Sequence, residues 1–124
     1  MLAETAVTEA VVQRHLQAFL QQQGVAAITS DYAEDARFLT EEQVYRGRPE
    51  IARFFETFIA ALPPRAIERF TLRRLRVEAD IAYLTWCVDD DIPLGTDTFV
   101  VDGGKIVSQT FAMHRGASPR PDGG

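Results

Sequence analysis

Residues 96–115 read TDTFVVDGGKIVSQTFAMHR, and this stretch decides the fold. Two runs of alternating character meet at Asp102-Gly103-Gly104, where glycine supplies the positive φ that a tight hairpin needs. Side chains of a strand alternate between its two faces, so Asp97, Phe99 and Val101 share one face, and Gln109, Phe111 and Met113 share one on the partner strand. The same period of two extends upstream through AIERFTLRRLRVEA (66–79) and IAYLTWCVDD (81–90). In the latter, Ala82, Leu84, Trp86 and Val88 form the more apolar face, opposite Tyr83, Thr85, Cys87 and Asp89. DDDIPLG (89–95) is expected to be a turn, with Pro93 and Gly95 interrupting any strand.

Before residue 65 the period is helical. AVVQRHLQAFL (10–20) belongs to a helix expected from near Thr8 to about Gln23, with Thr8 or Thr5 as cap and Gly24 as stop. His15 falls within its apolar stripe of Val12, Leu16 and Phe19. VAAITSDYA (25–33) predicts a second, shorter helix, and ARFLT (36–40) and QVYRG (43–47) a brief hairpin around Glu41 and Glu42. RPEIARFFETFIAAL (48–62) is the second strong helix, started by Pro49 and Glu50 and stopped by Pro63-Pro64. Its wide face of Ile51, Phe54, Phe55, Phe58, Ile59 and Leu62 reads as core packing. Helices followed by long antiparallel strands indicate an α+β domain in which helices cover one face of a curved sheet. One domain is expected over residues 1–116, with a disordered tail over 117–124.

Composition narrows the function classes. A chain of 124 residues with 46% hydrophobic and 25% charged residues suits one ordinary globular core. Net charge is −5 and the basic residues are dispersed apart from RRLR (73–76), so no nucleic-acid partner is expected. The apolar runs are too short for a membrane span. The single Cys87 and an N-terminus without secretory-signal character predict a soluble cytoplasmic protein. Two histidines, no HExxH and no cysteine cluster give no support for a metal or other cofactor.

The register of the 96–101 strand is open in the sequence. If Phe99 turns toward the helices, Asp97 enters an interior of Trp86, Phe99, Phe111 and Phe54; in the opposite register Thr96, Thr98 and Val100 face inward and Asp97 meets solvent. A buried carboxyl would have to be hydrogen-bonded, paired or protonated.

The order and spacing of AVVQRHLQAF, YAEDA, YRGRPEIARFF and GTDTFVVDGGKIVSQTF, over roughly residues 8–115, resemble the nuclear-transport-factor-2-like superfamily, which includes ketosteroid isomerases and SnoaL-like polyketide cyclases. The resemblance implies a cone: three N-terminal helices on the concave face of a strongly bent antiparallel sheet, enclosing an apolar pocket. In the isomerases a carboxylate base works with an oxyanion hole of a tyrosine and a protonated aspartic acid. Asp97 matches that aspartic acid, and His15 falls where the helix carries its tyrosine. The base position is taken by Thr40, with Glu41 and Glu42 just beyond, and Phe55 replaces a supporting tyrosine. Threonine cannot abstract a carbon-bound proton at neutral pH, so steroid isomerisation by the family mechanism is not expected.

The resemblance therefore implies a site for a small hydrophobic ligand lined by Phe19, Tyr32, Thr40, Phe54, Phe55, Phe58, Trp86, Phe99, Gln109, Phe111 and Met113. Two readings stay open. In one, His15 and Asp97 form an acid/base pair acting on a hydrophobic carbonyl or epoxide compound. In the other they are a structural polar pair in a non-catalytic ligand-binding or dimerisation domain. The mild outer face of Tyr83, Thr85, Cys87, Ser108, Thr110, Ala112 and His114, with the superfamily's habit of pairing sheets, predicts a homodimer.

Overall fold

A computed structural model describes residues 2–116; the tail expected over 117–124 lies outside the described residues. The chain forms α1 (Leu2–Leu20), α2 (Val25–Thr29), β1 (Tyr32–Leu39), β2 (Val44–Arg46), α3 (Gly47–Ala60), α4 (Ala66–Arg69), β3 (Phe70–Glu78), β4 (Ile81–Val88), β5 (Ile92–Asp102) and β6 (Lys105–His114). The six strands make one curved, unclosed sheet in the order β2-β1-β6-β5-β4-β3. All neighbours are antiparallel except β1 and β6, which run parallel. Register shifts in β1, β3 and the β5–β6 ladder mark places where the sheet bends.

The expected α+β class holds, and four local expectations are corrected. α1 begins at Leu2, so Thr5 and Thr8 lie inside it. Their hydroxyls are used on the β3–β4 turn: Thr8 Oγ1 donates to the Ala79 carbonyl at 2.6 Å, and Thr5 Oγ1 accepts from the Ala79 N–H at 3.0 Å. Residues 30–33 leave the helix early, and Tyr32 opens β1, because the β6 ladder offers that backbone partners: the Ile106 N–H donates to the Asp31 carbonyl at 2.8 Å.

The other two corrections lie in the second half. Residues 66–69, expected to be strand, form the short α4. Pro93 and Gly95 lie within β5 rather than in a turn. Pro93 is tolerated because the β5 ladders begin only at Leu94 and Gly95, so its missing N–H takes nothing from the sheet. The 102–105 hairpin turns as expected, with Gly103 at φ 59° and Gly104 at φ 76°.

Alternation settles which face is inner. Ala82, Leu84, Trp86 and Val88 are buried on β4, and Asp97, Phe99 and Val101 on β5. α1 adds Val11, Val12, His15 and Ala18, and α3 adds Ile51 and Phe55, closing the core against this concave face.

Candidate functional site

The inner face carries a polar network at its centre. Asp97 stands opposite Leu84 on β4 and Phe111 on β6, so Trp86 and Gln109 are its diagonal neighbours on the same face. Trp86 Nε1 donates to Asp97 Oδ2 at 2.8 Å, and Gln109 Nε2 donates to Asp97 Oδ1 at 2.8 Å. Tyr32 at the start of β1 donates its hydroxyl to Gln109 Oε1, which fixes the amide with its nitrogen toward Asp97. Trp86 reaches Asp97 by lying across Gly95, where a Cβ would come within 2.1 Å of the indole.

Burial drives the ionisation of these groups. Desolvation raises Asp97 to about 6, against the hydrogen bonds from Trp86 and Gln109 that favour its anion. Desolvation, with the nearby Asp97 and Asp31 carboxyls, pushes Tyr32 well above 10, so its phenol stays a donor.

His15 enters from α1. Its ring meets Tyr32, Phe99 and Phe55 edge to face, with centroids at 5.3, 5.6 and 6.0 Å. Burial lowers its pKa to about 4, outweighing Asp31 and the Ile28 backbone, both of which favour the proton. The imidazole is therefore neutral at pH 7. Its Nδ1 is buried with no hydrogen-bond partner. The expected pairing of His15 with Asp97 is not formed by a hydrogen bond: among the described residues none joins them, and the Asp97 oxygens accept from Trp86 and Gln109 instead.

Both side chains nevertheless line one cavity, with about 50 Å³ of free volume, room for a few water molecules. Of the residues expected to line it, Phe19, Phe54, Phe55, Phe58, Trp86, Phe99, Gln109 and Phe111 do. Tyr32 sits behind Gln109, and Met113 packs half-buried against the core, outside the lining. Thr40 is away from the cavity in the β1–β2 turn, where its hydroxyl accepts from the Glu42 and Gln43 N–H groups at 3.2 Å. Glu41 and Glu42 are exposed there.

Leu16, Phe38, Leu62, Ala66, Ile67, Phe70 and Val88 complete the lining; the sequence placed Leu16, Leu62 and Val88 on apolar faces but named none of the seven as lining. Phe38 and Phe70 were legible as inward strand positions, whereas Ala66 and Ile67 required α4 to be recognised. Among the described residues no group of three or more His, Cys, Asp or Glu is placed to hold a metal. Among the described residues no helix is long and apolar enough to cross a membrane.

Comparison with known proteins agrees with this architecture. Residues 12–109 match the SnoaL-like domain. The chain belongs to that family. Other members of the fold include a protein from Kribbella flavida DSM 17836 proposed to be a ketosteroid isomerase (20% identity, 95% of this chain and 85% of that one covered, TM-score 0.70). A Sinorhizobium meliloti protein proposed to be a polyketide cyclase is 18% identical over 83% of this chain and 94% of its own, with a TM-score of 0.67. A de novo designed protein with a curved β-sheet is as near in shape, at 15% identity over 88% of this chain and 86% of its own and a TM-score of 0.71. At these identities the likeness concerns the fold, and a SnoaL-like fold alone names no reaction. No curated protein matches the chain.

Proposed function

We propose that this SnoaL-like chain is a small-molecule pocket protein that binds a hydrophobic compound carrying one polar group and moves a proton on it through His15. The observation that carries the reading is His15, a residue of the apolar cavity's lining whose Nδ1 is buried without a hydrogen-bond partner. Such an atom costs roughly 1–3 kcal/mol, which a ligand's polar group placed against it would recover. A neutral imidazole has a lone pair to receive a proton, and the Asp31 carboxylate favours the resulting imidazolium. Hydrophobic carbonyl and epoxide compounds are the substrates for which such a step is useful. A ligand larger than a few atoms requires half-buried Phe58 and Leu62 at the cavity wall to move aside.

A thermal-shift screen of ketones, epoxides, phenols and amines identifies a binder. On that compound His15→Ala is expected to lose at least about 100-fold in turnover, and Asp97→Asn to lose activity as well, with the fold intact by circular dichroism. Undiminished turnover by His15→Ala would sink the proton-transfer step. One observation favours a second reading, non-catalytic binding: both Asp97 oxygens already have protein donors, as in a structural unit. Tight binding without turnover in the wild type would select it.

We also propose a homodimer through the outer sheet face, where the rows Tyr83–Thr98–Thr110 and Thr85–Thr96–Ala112 bring small and hydroxyl side chains together.

A further inference from the structure

We propose that the polar end of the cavity recognises a protonated amine, so that the ligand is a small hydrophobic ammonium compound. The assignment rests on the reading of the cavity as a small-molecule site, not on the proton-transfer step, and it places an amine where that step was read for carbonyl and epoxide compounds.

Three observations carry it. The first is charge. Asp97 is 7% exposed, and among the described residues no Lys or Arg reaches it; the ion pairs are Arg14–Asp31, Arg65–Glu68, Arg69–Asp89 and Arg69–Asp91. A buried carboxylate without a cation is incomplete, and its complement is a positive group.

The second is the hydrogen-bond inventory. The one indole N–H of Trp86 and one of the two amide N–H groups of Gln109 are spent on Asp97, and the Gln109 oxygen is taken by Tyr32. A ligand carbonyl or oxyanion would find the remaining Gln109 N–H and, in one tautomer, His15. A ligand donor finds the spare lone pairs of both Asp97 oxygens and the unpartnered His15 Nδ1. Acceptors outnumber donors at this end of the cavity.

The third is the wall. Trp86 stacks with Phe70 (centroids 5.4 Å, 21°) and with Phe111 (6.4 Å, 17°), and Phe58 meets Phe111 edge to face at 5.5 Å. Aromatic faces attract a cation and lose little by burying its hydrocarbon part. A carboxylate set among such rings is the arrangement an organic ammonium ion requires, and the ion in turn holds Asp97 in its charged form.

The test uses the whole chain and three probes of similar size: benzylamine, benzyl alcohol and acetophenone, titrated by calorimetry. At pH 7.5 benzylamine is expected to bind at least about tenfold more tightly than the other two. The preference should vanish in Asp97→Asn. In the wild type it should also shrink at pH 5, where Asp97 takes up its proton while benzylamine keeps its charge; this arm stands by itself if the variant does not fold. Benzyl alcohol or acetophenone binding as tightly as benzylamine overturns the amine assignment and leaves the pocket reading standing. An amine preference that survives both Asp97→Asn and pH 5 overturns the role given to Asp97. If none of the three binds at millimolar concentration, the pocket reading falls and the assignment falls with it.

Discussion

His15 is held in the interior at a cost that packing alone does not explain. Its ring is surrounded by Tyr32, Phe55 and Phe99, a setting that a phenyl ring would suit without the unpartnered Nδ1, at the loss of the hydrogen bond to the Ile28 backbone. His15→Phe is therefore expected to raise unfolding free energy by about 1 kcal/mol in urea titrations while abolishing ligand binding. Titration gives a sharper signature. His15 has a folded pKa of about 4, below its ordinary 6.5, so the stability it contributes is present above pH 6.5 and is lost as pH falls toward 4. Asp97 has a folded pKa of about 6, above 3.8, so its stabilisation is present below pH 3.8 and is lost as pH rises through 6. The two slopes oppose one another between pH 4 and 6. Asp97→Asn should unmask stability that rises with pH there, and His15→Phe stability that falls, each by up to about 1.4 kcal/mol per pH unit. Equal slopes in the two variants would contradict the assigned burial. Both residues were visible in the sequence, Asp97 by its step with Phe99 and His15 by its place in an apolar stripe. Their separation was not, because it depends on how far the α1 layer stands from the sheet and on which diagonal neighbours reach the carboxylate first.

At the scale of elements, α4 is the piece that sequence periodicity misread. AIER continues smoothly into a strand pattern, but Arg65 takes a left-handed φ of 58° and turns the chain into one helical turn. What holds that turn is Arg69: its guanidinium donates to Asp91 Oδ2 at 2.8 Å, Asp89 Oδ2 at 3.3 Å and the Pro64 carbonyl at 2.9 Å. The β4–β5 turn is thereby tied to the segment that supplies Ala66, Ile67 and Phe70 to the cavity wall. Trp86 is the single tryptophan and lies on that wall, so its fluorescence reports access. Arg69→Ala should increase acrylamide quenching of Trp86 about twofold, since fewer contacts then oppose local opening. These ion pairs are exposed, so raising salt to about 1 M should bring the wild type toward the variant and leave the variant unchanged. A salt response of equal size in both would remove the tether from consideration. Pro93 and Gly95 show the complementary limit of sequence reading. Pro93 precedes the pairing, and β5 begins its ladders one and two residues past it, at Leu94 and at Gly95 itself.

For the whole molecule, class and layering were legible because both periodicities are long and their order is simple: helical spacing first, alternation afterwards. The proposed dimer belongs to this scale. Tyr83 is 42% exposed and Ile81 48% exposed on the outer face, and light scattering at micromolar concentration should give twice the chain mass, reduced to one chain by Tyr83→Arg. A wild-type monomer under those conditions refutes it. The sheet order carries a further consequence, for the time at which the molecule becomes complete. β1 is bonded on one side only to the three-residue β2, and its long partner is β6, the last strand; α1 is likewise pinned to the distant Ala79 turn. Such non-local pairings form slowly. During synthesis Tyr32 and Phe55 emerge well before Phe99, and the β1 ladder cannot form until Gln109 has left the ribosome, so the surroundings of His15 are completed long after His15 itself is made.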